Sequence, residues 1–270
     1  MTINNKMTNL RKVIFLEYKF GDYNTETLYS SGANEVVAWM DRLNDQRLRQ
    51  LRNWGIKLTI SFSAFSDNIC PFDPKSGAIL KQALRKAMAY HPDGIVLDHF
   101  RFRGRWEQSE EKLKYVLTHE PCQHCRRTNK GRLLAKIASE IKQLVSKEIE
   151  LGYYAVPVEY GQFPQFGQDH KLLTKVFDYS SPMLYHRMLG KSVQYIHSFI
   201  RYLADLNNKP VVPAIAIKDM PDDLPDQINE SILRQEYEQA TLPPSVGVCW
   251  FSWDGAIEKH KTGIIAKIWK

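Results

Sequence analysis

Cysteine is scarce in this chain, with Cys70, Cys122, Cys125 and Cys249 the four among 270 residues. They are too few and too scattered for the disulfide framework of a small secreted fold. No run of eighteen apolar residues occurs, and the start Met1-Thr2-Ile3-Asn4-Asn5-Lys6 lacks the apolar stretch of a secretion signal. A cytoplasmic protein that neither spans nor binds a membrane is therefore expected. A glycine-rich phosphate loop, a Gly-x-Ser-x-Gly elbow and a His-x-His pair after an early strand are all missing, which lowers the standing of nucleotide-dependent, α/β-hydrolase and amidohydrolase chemistry. No cofactor is expected. Repeats, low-complexity tracts and Pro/Gly/Ser linkers are missing too, so residues 1–270 read as one domain.

Charge is unbalanced but not concentrated. Lys and Arg total 37 against 30 Asp and Glu, a net charge of +7. Arg47, Arg49 and Arg52, like Lys136, Lys142 and Lys147, alternate with apolar positions, as solvated helix faces do. Without a basic stripe or a recognisable reading module, a nucleic-acid partner is not expected. The helix periodicity specifies no oligomeric state.

Strand-like apolar runs alternate with helix-like periodic runs along the whole chain, the pattern of a βα architecture with a parallel sheet. Seven strands are predicted, at Val13 to Glu17, Leu58 to Phe62, Gly94 to Asp98, Tyr153 to Val158, Tyr179 to Tyr185, Val211 to Ile217 and Val246 to Phe251. Between them Leu133, Leu134, Ile137, Ile141 and Leu144, or Val193, Ile196, Ile200 and Leu203, recur at helical spacing. Chain length suits one (β/α)8 TIM barrel of the α/β class. Its eighth strand is irregular or missing, with Thr27 to Tyr29 the best place for it. The long interval after the Asp98 strand predicts a loop insertion at 104–130 over the active face.

The segment Gly94-Ile95-Val96-Leu97-Asp98-His99-Phe100-Arg101 reads as a buried parallel strand ending on a carboxylate. Strand carboxyl ends form the ligand site of such barrels, so Asp98 is expected there with Arg101 beside it. The alternative is an Asp that caps a turn. The other strand ends deliver Glu17, Glu159, Tyr185 and His186, then Trp250, Trp253 and Asp254. Carboxylates around one mouth can divide into an acid and a nucleophile for glycosidic bond cleavage, while Trp and Tyr offer flat faces to a sugar. At least one of the tryptophans is expected in the core, and Tyr185-His186 reads equally as a sugar contact or as a buried structural pair. His119, Cys122, His124 and Cys125 carry zinc-type donors, but only Cys122 and Cys125 have the usual ligand separation. Two reduced cysteines packing the insertion are preferred, and no metal site is expected.

Three segments, Gly94 to Phe102, Asp178-Tyr179-Ser180-Ser181-Pro182-Met183-Leu184-Tyr185 and Gly247-Val248-Cys249-Trp250-Phe251-Ser252-Trp253, resemble in the same order the GIHLDYIRYP, DYISPMLYP and G-FWFSW strands of the glycoside-hydrolase-like barrel family. The segment Pro121 to Arg126 is similar to the family's CFCPHCR, with Glu120 in place of its first cysteine. The resemblance implies a (β/α)8 barrel acting on carbohydrate, with Asp98 at the family's catalytic aspartate and Arg101 at its accompanying arginine. His99 stands where the family has tyrosine, and Phe102-Arg103 where an aromatic residue is followed by proline.

The reading that follows is a glycoside hydrolase with two carboxylates and retention of configuration. Asp98 is the nucleophile, with Arg101 keeping it ionised, and Glu159 is the acid/base. Neighbouring strands lie about 4.8 Å apart, compatible with the roughly 5 to 5.5 Å separation of retaining carboxyl pairs. A glutamate following a nucleophilic aspartate on the next strand is also similar to the alpha-amylase superfamily, although Val96 replaces its arginine. Glu17, Asp254 and Asp178 are reserve acids. The rival readings are a barrel that binds carbohydrate without cleaving it and a protein whose basic surface holds an acidic partner.

Overall fold

The computed structural model of the chain describes residues 10–17, 25–65, 70–102, 104–109, 112–117, 129–157, 166–220 and 225–270. Its strands are β1 (Arg11–Leu16), β2 (Glu35–Trp39), β3 (Lys57–Ser63), β4 (Gly94–Asp98), β5 (Gly104–Ser109), β6 (Lys112–Leu117), β7 (Glu150–Ala155), β8 (Tyr179–Pro182), β9 (Ala214–Ala216) and β10 (Gly247–Phe251). Eight of these make one sheet in the order β8-β7-β4-β3-β2-β1-β10-β9, with every pairing parallel. Parallel bridges Ser180↔Val211 and Met183↔Ala214 join its two ends. Together with the alternating helices this is the expected (β/α)8 TIM barrel.

The helices form where one face is apolar and the first turn is capped. Gln194–Asn207 buries Ile196, Phe199, Ile200, Leu203 and Ala204. Asn44, Asp73, Asn129 and Asn229 each accept a backbone N–H from the first turn of Asp45–Asn53, Pro74–Met88, Lys130–Leu144 and Glu230–Thr241, satisfying donors that the helix leaves open.

The eighth strand is not where the sequence suggests. Thr25–Ser30 is a helix with Leu28 buried and Tyr29 exposed, while β2 supplies the strand. Glu35 at the head of the Val36-Val37-Ala38 run disguised it, because a charge there argues against burial until its partner is known. One strand is shifted and two others are cut short. β7 runs Glu150–Ala155, three positions earlier than expected at the same length, and β8 ends at Pro182. β9 is cut to Ala214–Ala216 because Pro210 and Pro213 lack the N–H a ladder requires. Within the interval expected to be a loop insertion, β5 and β6 pair as an antiparallel hairpin.

Glu35 is only 3% exposed at its side chain and sits at the amino-terminal end of the barrel interior. Arg11 donates to both its oxygens at 2.8 Å, and Thr59 Oγ1 donates to Oε1 at 2.8 Å. The guanidinium also lies 4.6 Å from the centre of the Tyr179 ring and 3.2 Å from Glu150. Burial works against the charged guanidinium, but the hydrogen bonds and charge of Glu35 outweigh it and hold the Arg11 pKa above its ordinary value. Gly152 is required beside this cluster, since a Cβ there would stand 2.3 Å from Tyr179 Cζ. We expect Glu35→Ala to lower the unfolding free energy by about 3–5 kcal/mol, the cost of stranding a buried charge. Urea denaturation measures it, and a loss below about 1 kcal/mol, the level of a surface pair, contradicts this role.

Candidate active site

Eight parallel strands bring their carboxyl ends to one rim, and β4 ends there on Asp98, paired in register with Ser63 of β3. Val96 and Asp98 share one strand face, and Val96 lines the barrel interior. The Asp98 side chain is 16% exposed, with Oδ2 3.2 Å from His99 Nδ1. Oδ1 accepts the His99 backbone N–H at 2.6 Å. His99 adopts a left-handed backbone with φ of 50°, which folds its imidazole back towards the carboxylate. Beyond it Phe100 and Phe102 are fully buried. Burial acts to raise the Asp98 carboxyl pKa, but the hydrogen bond and charge of His99, then the charge of Arg101, outweigh it. Asp98 lies below the usual carboxylate range and is ionised at neutral pH.

The rim beside Asp98 is held by buried Gln168. Its Oε1 accepts from Val156 N at 2.8 Å, while Nε2 donates to Tyr154 O at 2.9 Å and Phe100 O at 3.2 Å. One amide thus ties the segment after β4 to the end of β7. Aromatic rings fill the interior at this level. Phe15 packs on Phe251, Tyr154 and Trp39 at centroid distances of 4.9, 6.1 and 6.4 Å, and Tyr185 packs on Phe251 at 5.4 Å. Burial first, then nearby groups that include Asp98, push the Tyr154 and Tyr185 phenols well above their ordinary pKa. Both remain hydrogen-bond donors.

Glu17 follows β1 at the same rim. Ser252 Oγ donates to its Oε2 at 2.7 Å, and its backbone N–H donates to Asp254 Oδ2 at 2.7 Å. Two strands, β2 and β3, separate β1 from β4 in the sheet. The charges of Asp98 and Glu17 nevertheless both act on the Tyr185 phenol. The rim therefore carries two carboxylates, a phenol on which both charges act, and an aromatic lining.

Asp98, Arg101, Glu17 and Tyr185 share this neighbourhood, whereas other residues singled out in the sequence do not contact it as expected. Trp250 is fully buried and stacks on Tyr237 of helix Glu230–Thr241 at 6.3 Å and 10°. It faces the helix layer, as strand parity requires when Cys249 faces inward. His186 is taken up by Glu236 at 2.9 Å and by the Lys191 carbonyl at 2.9 Å, the structural alternative of the two readings. Asp254 is 1% exposed and supports the Glu17 backbone from below. Trp253 is 1% exposed at the start of helix Trp253–Glu258. Glu159, His119, Cys122, His124 and Cys125 lie outside the described residues. Gln168, Ser252 and Glu236 carry structural roles that sequence reading missed; Ser252, two residues before Asp254, had a visible signal as a helix N-cap.

No family model matches the chain, and no curated protein matches it in sequence. Solved structures do match in fold. The PgaB (BpsB) glycoside hydrolase domain from Bordetella bronchiseptica aligns with a TM-score of 0.73 at 10% identity, covering 97% of this chain and 99% of that one. A class V chitinase from Pseudomonas fluorescens aligns at 0.65 and 10% identity, covering 96% and 99%. A plant class V chitinase mutant from Cycas revoluta, solved in complex with (GlcNAc)3, aligns at 0.59 and 11% identity, covering 96% and 99%. At such identities the likeness establishes the fold.

The depressed Asp98 pKa has a signed consequence. Its ionisation stabilises the folded chain above the unfolded carboxyl value of about 3.9, and this contribution is lost as the pH falls through the lower folded value. The difference in unfolding free energy between wild type and Asp98→Asn is therefore expected to shrink as the pH drops below about 4. Denaturation across an acid series measures it, and a difference that shrinks only near neutral pH contradicts the ionised assignment.

Proposed function

We propose that this chain is a glycoside hydrolase that cleaves an oligo- or polysaccharide by a retaining, two-carboxylate mechanism. The observation that carries the reading is Asp98, a mostly buried carboxylate kept ionised at the end of a barrel strand, over aromatic rings and in the company of Glu17 and Tyr185. The fold shared with glycoside hydrolase domains and chitinases supports it. The complex of one such neighbour with (GlcNAc)3 makes oligosaccharides of N-acetylglucosamine the first substrates to try.

In the first step an Asp98 oxygen attacks the anomeric carbon, the glycosidic C–O bond breaks, and Glu159 gives its proton to the departing oxygen. In the second step Glu159 takes a proton from water, whose oxygen displaces Asp98 and regenerates both carboxyl groups. Arg101 and His99 keep Asp98 anionic for the attack. The Tyr185 phenol donates a hydrogen bond towards the reacting carboxylate or the sugar, and Glu17, aimed by Ser252 and Asp254, accepts from sugar hydroxyls.

With reduced-end-labelled (GlcNAc)n oligomers and a panel of aryl glycosides, Asp98→Asn is expected to cut turnover by about 10²- to 10⁴-fold while binding measured by calorimetry survives. Glu159→Gln is expected to fall similarly, with an aryl glycoside bearing a good leaving group cleaved best by the variant. Binding without turnover in the wild type identifies a carbohydrate-binding barrel instead. Neither binding nor turnover across the panel removes the reading.

A further inference from the structure

We infer that His186 and Glu236 form a positioning pair, imidazolium against carboxylate, that holds Tyr185 in the barrel mouth. The catalytic consequence rests on the glycosidase reading; the pair itself does not. His186 follows Tyr185 directly in the chain. Its Nδ1 is 2.9 Å from the Lys191 carbonyl oxygen, which can only accept, so Nδ1 carries a hydrogen. Its Nε2 is 2.9 Å from Glu236 Oε1. A neutral imidazole has a single N–H, leaving a lone pair on Nε2 to face a carboxylate. The contact is attractive when Nε2 is protonated as well, as an imidazolium beside a carboxylate.

Both ends of the pair are anchored. Glu236 is 2% exposed on helix Glu230–Thr241, which is fixed to the barrel wall by buried Leu233 and Ala240 and by the stack of Tyr237 on Trp250. The turn after Tyr185 is closed by Lys191 N to His186 O at 2.9 Å and Leu189 N to Tyr185 O at 3.2 Å. A void of about 10 Å³ borders Tyr185 and Glu236, room for no more than about one water. Neither Glu236 Oε2 nor His186 Nε2 has a hydrogen-bond partner among the described residues; the two side chains meet as a charge pair at 2.9 Å, and the Arg187 charge also acts on Glu236.

The charged groups around the pair have partners of their own, although the Arg187 charge also reaches both His186 and Glu236. Arg187 binds Asp219 at 2.6 and 3.2 Å, Lys218 reaches Glu258 at 2.9 Å, and Lys261 reaches Asp226 at 2.6 Å. Burial would push the His186 pKa down, but the contacts with Glu236 and Lys191 raise it above its ordinary value; burial raises the Glu236 carboxyl. The sign follows. The pair holds fully below the unfolded histidine value of about 6.5 and is lost as the pH rises through the higher folded value. Deprotonation sets a carboxylate against a lone pair in a dry site, and the turn that carries Tyr185 moves to relieve it.

The test uses the full chain labelled with ¹⁵N-histidine. In the wild type both His186 ring nitrogens are expected to stay protonated above about pH 6.5, and Glu236→Gln to lower the midpoint by about one pH unit. With an oligosaccharide that the wild type cleaves, Glu236→Gln is expected to lower kcat about tenfold with KM within about twofold, and to shift the basic limb of the pH profile downward. His186→Gln, which can keep an N–H towards Glu236, should retain more activity than His186→Ala. A wild-type midpoint at or below about 6.5, or an unchanged profile in Glu236→Gln, overturns the proposal. Should the wild type cleave nothing, the glycosidase reading fails separately. The pair is then judged by the nuclear Overhauser contact between the Tyr185 and Phe251 rings: weakening at high pH in the wild type that is absent in Glu236→Gln supports it, and a wild-type contact constant with pH overturns it.

Discussion

A partly buried guanidinium and a buried carboxylate, paired at the amino-terminal end of the barrel, constrain everything above them. Taking two ions out of water costs several kcal/mol for each, so the Arg11–Glu35 pair is tolerable only with near-ideal geometry. The bidentate contact, the Thr59 hydroxyl and the face of Tyr179 supply it. That geometry exists in one register of β1 against β2, with Val13 opposite Glu35. On the other side of β1, Gly247 stands opposite Arg11, where a Cβ would come within 2.4 Å of the Arg11 Cβ. A slip of one residue would turn every side chain of β1 to the other face. The face that carries Arg11 inward also carries Phe15 into the aromatic layer and leads to Glu17 at the rim.

Between the two ends the interior changes character. Val13, Val37, Val96, Val212 and Cys249 line the middle, and the Phe15, Trp39, Tyr154 and Phe251 rings close it above. This apolar plug separates the compensated charges at one end from the carboxylates at the other. In such surroundings the fields of His99 and Arg101 on Asp98 are little screened, which is why a mostly buried acid stays ionised. Gln168 fixes the rim on one side of the mouth and Ser252 with Asp254 on the other. Preorganised groups of this kind are what charge development in a reaction requires.

Much of this was legible in one dimension. β4 begins at Gly94 and ends at Asp98 as the apolar run between glycine and acid implied, and the alternation of runs specified a parallel barrel. β2 was not legible, because Glu35 is acceptable inside only when Arg11, 24 positions earlier in the chain, is known to meet it. Trp250 illustrates an available signal that proximity to a strand end obscured. Alternation in Val248-Cys249-Trp250-Phe251 puts Cys249 and Phe251 on one face and Trp250 on the other, so only one of the two faces could line the interior. For His186 no local signal existed, since its partner Glu236 lies on a helix 50 residues later.

Local chemistry along the chain was enough to specify the architecture, because the period of apolar residues depends only on the geometry of helices and strands, and enough to mark Asp98, because an acid closing a buried run is rare without a reason. Which acids and aromatics meet was a matter of folding. Closure of the barrel set the register, and with it the face on which Trp250 lies, the partner that captured His186, and the rim to which both Glu17 and Asp98 are brought. Those outcomes depend on contacts between segments far apart in the chain, whose energies no single segment contains.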